Sequence, residues 1–182
     1  PYERYLFIIH LGDRLRGGLE HRDSTTLAVD RWSFSPASEY NKFIRLAIHE
    51  FFHTWNVKRI RPSNLGPFDY TQEVYTPLLW VMEGFTSYYD ELLLYRAGIY
   101  TEEEILSKFS SSINSIENQP GNKVQPVAHA SFDAWIKAYR PTENSYNTTI
   151  SYYTKGSVVA NMLDLMIIKN TKGKKNQKTK II

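Results

Sequence analysis

The pentapeptide His49-Glu50-Phe51-Phe52-His53 constrains this chain more than any other stretch. It lies in an apolar-periodic run from Phe43 to Trp55, which predicts a helix over about residues 38–55. Residues four apart share a helical face, so both imidazoles can reach one metal ion. Glu50 projects beside them, near enough to take a proton from a water on that ion. With five His and twelve Glu among 182 residues, a chance match has odds of about one in a hundred. The structural alternative is a pair of core histidines on a buried helix.

A second segment bears on that choice. Trp80 to Tyr89 carries Glu83 in a run too apolar for a solvated surface. Thr76-Pro77 resembles an N-cap followed by proline at the first helical position, and Gly98 suits a C-cap, so a helix is expected over about 77–97. An unpaired carboxylate there would be costly, and a metal ion removes the cost. Two His and one Glu with an open fourth position is the ligand set of a catalytic zinc, whereas structural zinc takes four ligands rich in Cys. The chain has no Cys, which also argues against a redox site.

The runs H-E-F-F-H-T-W-N-V-K-R-I-R-P (49–62) and L-W-V-M-E-G-F-T-S-Y-Y (79–89) resemble the glycyl aminopeptidase family of zinc metallopeptidases, within the thermolysin-like gluzincins. The resemblance implies one zinc per chain, held by His49, His53 and Glu83, with Glu50 as general base. The 29 residues between His53 and Glu83 make a longer gap than in the alanyl and leucyl aminopeptidases. One departure from thermolysin is Ser87, where an Asp would follow the ligand Glu by four. The side chain that orients a ligand histidine is therefore unassigned.

Two further segments extend the resemblance. Gly17-Gly18-Leu19-Glu20 is similar to the segment by which this clan grips substrate. Glycines on an edge strand let a peptide backbone approach closely, and Glu20 would pair with a free α-amino group. The alternative is a surface turn with a solvated Glu. Tyr153-Thr154-Lys155-Gly156 is similar to the clan's catalytic tyrosine motif and implies Tyr153 as hydrogen-bond donor to the oxyanion. Most of the thirteen Tyr must be packing residues, and the spacing to Lys155 and Gly156 is what singles out Tyr153. His21 is given no role, and His10 and His129 read as structural.

The implied activity is zinc-dependent removal of an N-terminal residue, favouring Gly or Ala, from peptides with a free N-terminus. The alternatives are a zinc endopeptidase of the same fold and a catalytically silent peptide-binding module. The expected architecture is α+β, a thermolysin-like gluzincin catalytic domain: a small N-terminal sheet with an edge strand, then a mainly helical part. Strands are expected near 4–11 and 25–34, and further helices near 101–117, 131–139 and 155–168, with a polar loop over 140–149. Thr101 and Glu104 form a capping-box pattern.

The catalytic domain is expected over 1–168, as a fragment of a longer protein, with 169–182 a mobile Lys-rich tail. Those last fourteen residues hold six Lys and no acid. The remainder has 22 − 6 = 16 bases against 19 acids, so the net charge of +3 is set by the tail. Nucleic acid is not expected as a partner, since such a tail reads as a solvated terminus, and neither is a membrane, since no run approaches the roughly 18 apolar residues of a spanning helix. Lys58-Arg59-Ile60-Arg61 follows the metal helix directly, so a structural or substrate-facing role suits it. The protein is expected to be soluble. The compartment stays open between cytoplasm and periplasm or secretion, as does the oligomeric state.

Overall fold

The computed structural model describes residues 2–174, so the end of the Lys-rich tail, 175–182, lies outside the described residues. Backbone contacts divide the chain into two compact units. One holds the residues up to Phe68 with Tyr89–Leu106, and the other holds Asp69–Tyr88 with Ser107 onward. The architecture is α+β. No helix among the described residues is long and apolar enough to cross a membrane.

The first unit opens with β1 (Leu6–Gly12), β2 (Arg16–Glu20) and β3 (Ser24–Asp30) in the order β1-β3-β2. β3 runs parallel to β1 and antiparallel to β2, which leaves the Gly17-Gly18 segment on an edge strand. Along β3 every second residue (Thr25, Leu27, Val29) is buried, the period-two pattern of a strand with one covered face. The run expected to continue to residue 34 instead ends at Asp30, whose carboxylate accepts from the backbone of Arg14 and Trp32 and turns the chain.

α1 (Ala37–Phe52) packs against β2 and β3. Its ring Phe51 meets Tyr5 edge-on at 4.9 Å and Trp55 at 5.5 Å, and this tethers the sheet to the helix. The helix stops short of the expected residue 55. His53 is its C-cap residue, and Val57, at φ 148°, lies in a region closed to a continuing helix. α2 (Leu79–Arg96) contributes its second half to this unit. There Tyr89 stacks on Phe52 at 4.7 Å and Leu94 is fully buried. Gly98, at φ +72°, ends the helix as its sequence position suggested.

α3 (Glu102–Glu117) begins with the capping box read from the sequence. Glu104 N–H donates to Thr101 Oγ1 at 3.2 Å, and Thr101 N–H donates to Glu104 Oε2 at 2.8 Å. α4 (Val127–Phe132), α5 (Ser145–Thr148) and α6 (Tyr152–Asn170) complete the second unit. Its core gathers Ala130, Ala134, Ile150 and Tyr152. The helix expected over 131–139 is not formed. α4 ends at Phe132 and turns follow, so Phe132, Trp135, Ile136 and Tyr139 are exposed rather than sharing a buried face. Ser131 is no cap either: it is buried, donates to the Val127 carbonyl and accepts from the Trp80 N–H. The loop expected over 140–149 contains α5, and α6 starts three residues earlier than the expected 155.

Inside the second unit α2 and α6 cross at a glycine pair. A Cβ on Gly84 would collide with the Gly156 backbone, and one on Gly156 would collide with the Trp80 carbonyl. Backbone on both sides leaves nothing that can swing away. Gly156→Ala should therefore destabilise the protein by about 1–3 kcal/mol in urea unfolding. A loss inside experimental error would mean that the crossing is looser than described.

Candidate metal centre and catalytic residues

The motif histidines are both held through one ring nitrogen. His53, only 2% exposed, has Nδ1 2.7 Å from the Asn56 carbonyl oxygen, and His49 has Nδ1 2.9 Å from Asp90 Oδ2. A carbonyl and a carboxylate can only accept, so each ring carries its proton on Nδ1. Nε2 is then the nitrogen that would meet a metal. The rings lie 4.8 Å apart at 83°. Glu50, between them in sequence, is 5% exposed.

Asp90 is the residue that sequence reasoning missed. Its carboxylate is 1% exposed and also accepts from Arg45 Nε at 2.9 Å. Arg45 reaches Glu91 Oε1 at 2.9 Å as well. Burial works against the Arg45 charge, but Asp90 and Glu91 more than offset it and raise its pKa. The signal was present. Asp90 stands seven residues after Glu83, two turns along the same helical face.

β2 brings the substrate-binding candidates against α1. A Cβ on Gly18 would run into the Glu50 carboxylate, so the strand passes Glu50 without displacing its side chain only as glycine. Gly17 adopts φ +131°, a conformation that side chains strain. Glu20 faces the same side, with Oε1 3.3 Å from Lys58 Nζ. Ligand atoms of Glu20, Glu50 and His53 all lie within 4.8 Å of one another.

The second unit carries Glu83 on α2 and Tyr153 on α6. Ser151 caps α6 by accepting from the Thr154 N–H at 3.2 Å. Lys155 donates to Asn122 Oδ1 at 2.6 Å and Gly156 meets Gly84, so the motif's Lys and Gly fix where Tyr153 stands. Tyr153 stacks on Tyr152 at 4.6 Å, and its hydroxyl is 3.5 Å from that of Tyr139. Burial, then the Glu83 charge, pushes the Tyr153 phenol far above its ordinary value. Tyr152 is raised too, by burial and its bond to Tyr139. Both remain hydrogen-bond donors at any physiological pH.

Among the described residues, Glu20, Glu50 and His53 of the first unit could together hold a metal ion; of the ligands expected from the sequence, His49 and His53 stand in the first unit and Glu83 in the second. Two imidazoles presenting Nε2 with one carboxylate fit a catalytic zinc by donor chemistry. The set within the first unit would consume Glu50 and Glu20 as ligands and leave His49 out.

The raised phenols bear on stability. A group whose pKa is raised on folding above the unfolded value of 10.0 contributes stability that is whole below that pH and lost as pH climbs beyond it. Unfolding free energy should fall above pH 10, and Tyr153→Phe should flatten the fall. Identical alkaline slopes for the two proteins would count against a strongly raised Tyr153.

The profile of the M61 glycyl aminopeptidase family matches residues 42–159, which include His49, Glu50, His53, Glu83 and Tyr153 but not β2. Among solved structures, the chain is similar to the crystal structure of an aminopeptidase N family protein from Idiomarina loihiensis. The two are 36% identical with a TM-score of 0.94, over 100% of this chain and 32% of that one. The chain thus spans about a third of that protein's length. Comparison with curated proteins gives no match.

Proposed function

The chain belongs to the M61 glycyl aminopeptidase family, and on that premise we propose that it carries the catalytic centre of a zinc aminopeptidase with a thermolysin-like catalytic fold. His49, His53 and Glu83 would hold the ion. The observation that carries this reading is the pair of Nδ1 bonds, to Asp90 and to the Asn56 carbonyl, which turn both motif imidazoles into oriented Nε2 donors. Glu83 lies two turns before Asp90 on α2, and the absence of Cys leaves histidine and carboxylate as the donors.

Zinc held there would supply Lewis acidity, to lower the pKa of a water and polarise the scissile carbonyl. Glu50 takes the proton of the attacking water and passes it to the departing amine. Its near-complete burial strengthens that exchange by excluding competing solvent. Tyr153, kept protonated by burial and Glu83, donates a hydrogen bond to the oxyanion as charge develops there. Glu20 pairs with the substrate's α-ammonium, and the β2 edge at Gly17 and Gly18 receives its backbone. The family's name supports N-terminal glycine, with alanine as the next smallest residue, as the preferred first position.

Hydrolysis of a glycyl anilide and of its N-acetylated twin by the zinc-loaded protein tests the reading. Cleavage of the free amine alone is expected, and equal cleavage of both would point to an endopeptidase. Glu50→Gln should lower kcat by about 10²–10⁴-fold with zinc retained. Asp90→Asn should weaken zinc binding by about 10–100-fold in a chelator competition. Unchanged zinc affinity would remove Asp90 from the centre.

A further inference from the structure

The carboxylate read above as the amine anchor already holds an ammonium. Lys58 Nζ lies 3.3 Å from Glu20 Oε1, with both side chains about four-fifths covered. Chemically, a lysine ammonium and the α-ammonium of a peptide are the same group. We propose that Lys58 is a specificity-determining residue, a resident competitor that a substrate's N-terminus must move away from Glu20 before the peptide can bind. This rests on reading Glu20 as the amine anchor.

The local backbone is built to deliver that side chain. α1 ends at Phe52, and the turn after it passes through Val57 at φ 148°, a costly conformation for a β-branched residue. Lys58 N–H then donates to the His53 carbonyl at 3.0 Å, and an isolated bridge joins Asn56 to Ile60. The turn fixes the Lys58 backbone to the same residue that presents a candidate metal ligand. The side chain is held more loosely. A tight charge-assisted N–H···O bond spans about 2.7–2.9 Å, and this one is longer. Glu20 is the one carboxylate within ion-pair reach of Lys58 among the described residues. The ammonium also lies 5.9 Å from the centre of the Phe68 ring, a second face to which it can relax.

Arg45 makes the contrast plain, since two carboxylates grip it at 2.9 Å each. Lys58 has a flexible four-carbon stem and one carboxylate partner among the described residues, so it can retire into water. Two carboxylates, Glu20 and Glu50, stand within 4.8 Å of each other's ligand atoms, and a cation is needed there whether or not a peptide is bound. Lys58 supplies it in the empty enzyme and returns when the product amino acid leaves. An acetylated peptide has no ammonium with which to displace it. The competition therefore weakens free-amine binding without touching blocked ligands.

Equilibrium binding of glycinamide and N-acetylglycinamide near neutral pH, by calorimetry on the zinc-loaded protein, tests this. Lys58→Met should bind glycinamide about tenfold more tightly and the acetylated probe unchanged, with a lower KM for glycyl anilide at constant kcat. Lys58→Arg keeps the charge and should behave like the wild type. Glycinamide binding that is unchanged or weaker in Lys58→Met, while Glu20→Gln weakens it, overturns the competition and leaves the anchor standing. Wild-type affinity in Glu20→Gln brings down the anchor reading itself. A measurement on the unsubstituted protein decides the matter even if Lys58→Met does not fold. The Lys58 side-chain NMR resonances should shift at saturating glycinamide and not with the acetylated probe, and a Lys58 signal unmoved by either overturns the proposal.

Discussion

Asp90 is almost without solvent, and its two oxygens accept from Arg45 and from His49. Removing Arg45 would take from that buried charge its ion-pair partner, a far larger loss than an exposed pair would incur. The two donors lie four apart on α1, and the acceptor lies on α2. One buried carboxylate thereby fixes the rotation of α1 and the tautomer of His49 together. Phe52 stacking on Tyr89, the residue beside Asp90, adds an apolar lock to the same contact. Packing and site chemistry are not separable here, because the group that secures the helix is the group that orients the imidazole.

Close approach is the second constraint, and glycine answers it twice. β2 can run beside Glu50 because Gly18 has no Cβ, and α2 can cross α6 because Gly84 and Gly156 have none. In each case the glycine sits next to a candidate site residue: Gly18 two before Glu20, Gly84 one after Glu83, Gly156 three after Tyr153. Read as substrate room, Gly18 had a role outside the chain. The collision that a Cβ there would have with Glu50 gives it one inside, since the strand's position bears on where the proposed base stands. Both roles can hold at once, because a strand edge without side chains is open to a peptide as well as to a helix.

What could be read from the sequence followed from local rules. The H-E-x-x-H spacing, the Thr101–Glu104 box and the Gly98 cap each depend on residues within a turn or two of one another. Errors arose where long-range packing decides. Phe132, Trp135, Ile136 and Tyr139 have helical apolar spacing, yet the chain turns after Phe132 and leaves them exposed. Spacing records which side chains share a face, not whether anything covers that face. Asp90 was missed for the same reason, because its partners His49 and Arg45 lie 41 and 45 residues away. The pairing of Glu20 with Lys58 is equally invisible in sequence, and it gives the proposed amine anchor a resident partner.

Adjacent tyrosines at the start of α6 show how environment divides labour between identical side chains. Tyr152 belongs to the core with Ala130, Ala134 and Ile150, and its hydroxyl donates to Tyr139 at 3.3 Å. That bond commits its proton to a neighbour. Tyr153 stacks on it and feels the Glu83 charge more strongly, Glu83 being second only to burial among the causes of its raised pKa. Charge on a nearby carboxylate makes a phenolate costly, and it does not weaken the phenol as a donor. The role proposed for Tyr153, stabilising negative charge without acquiring it, suits those surroundings. At position 152 the same group serves better as the packed support on which that ring is laid.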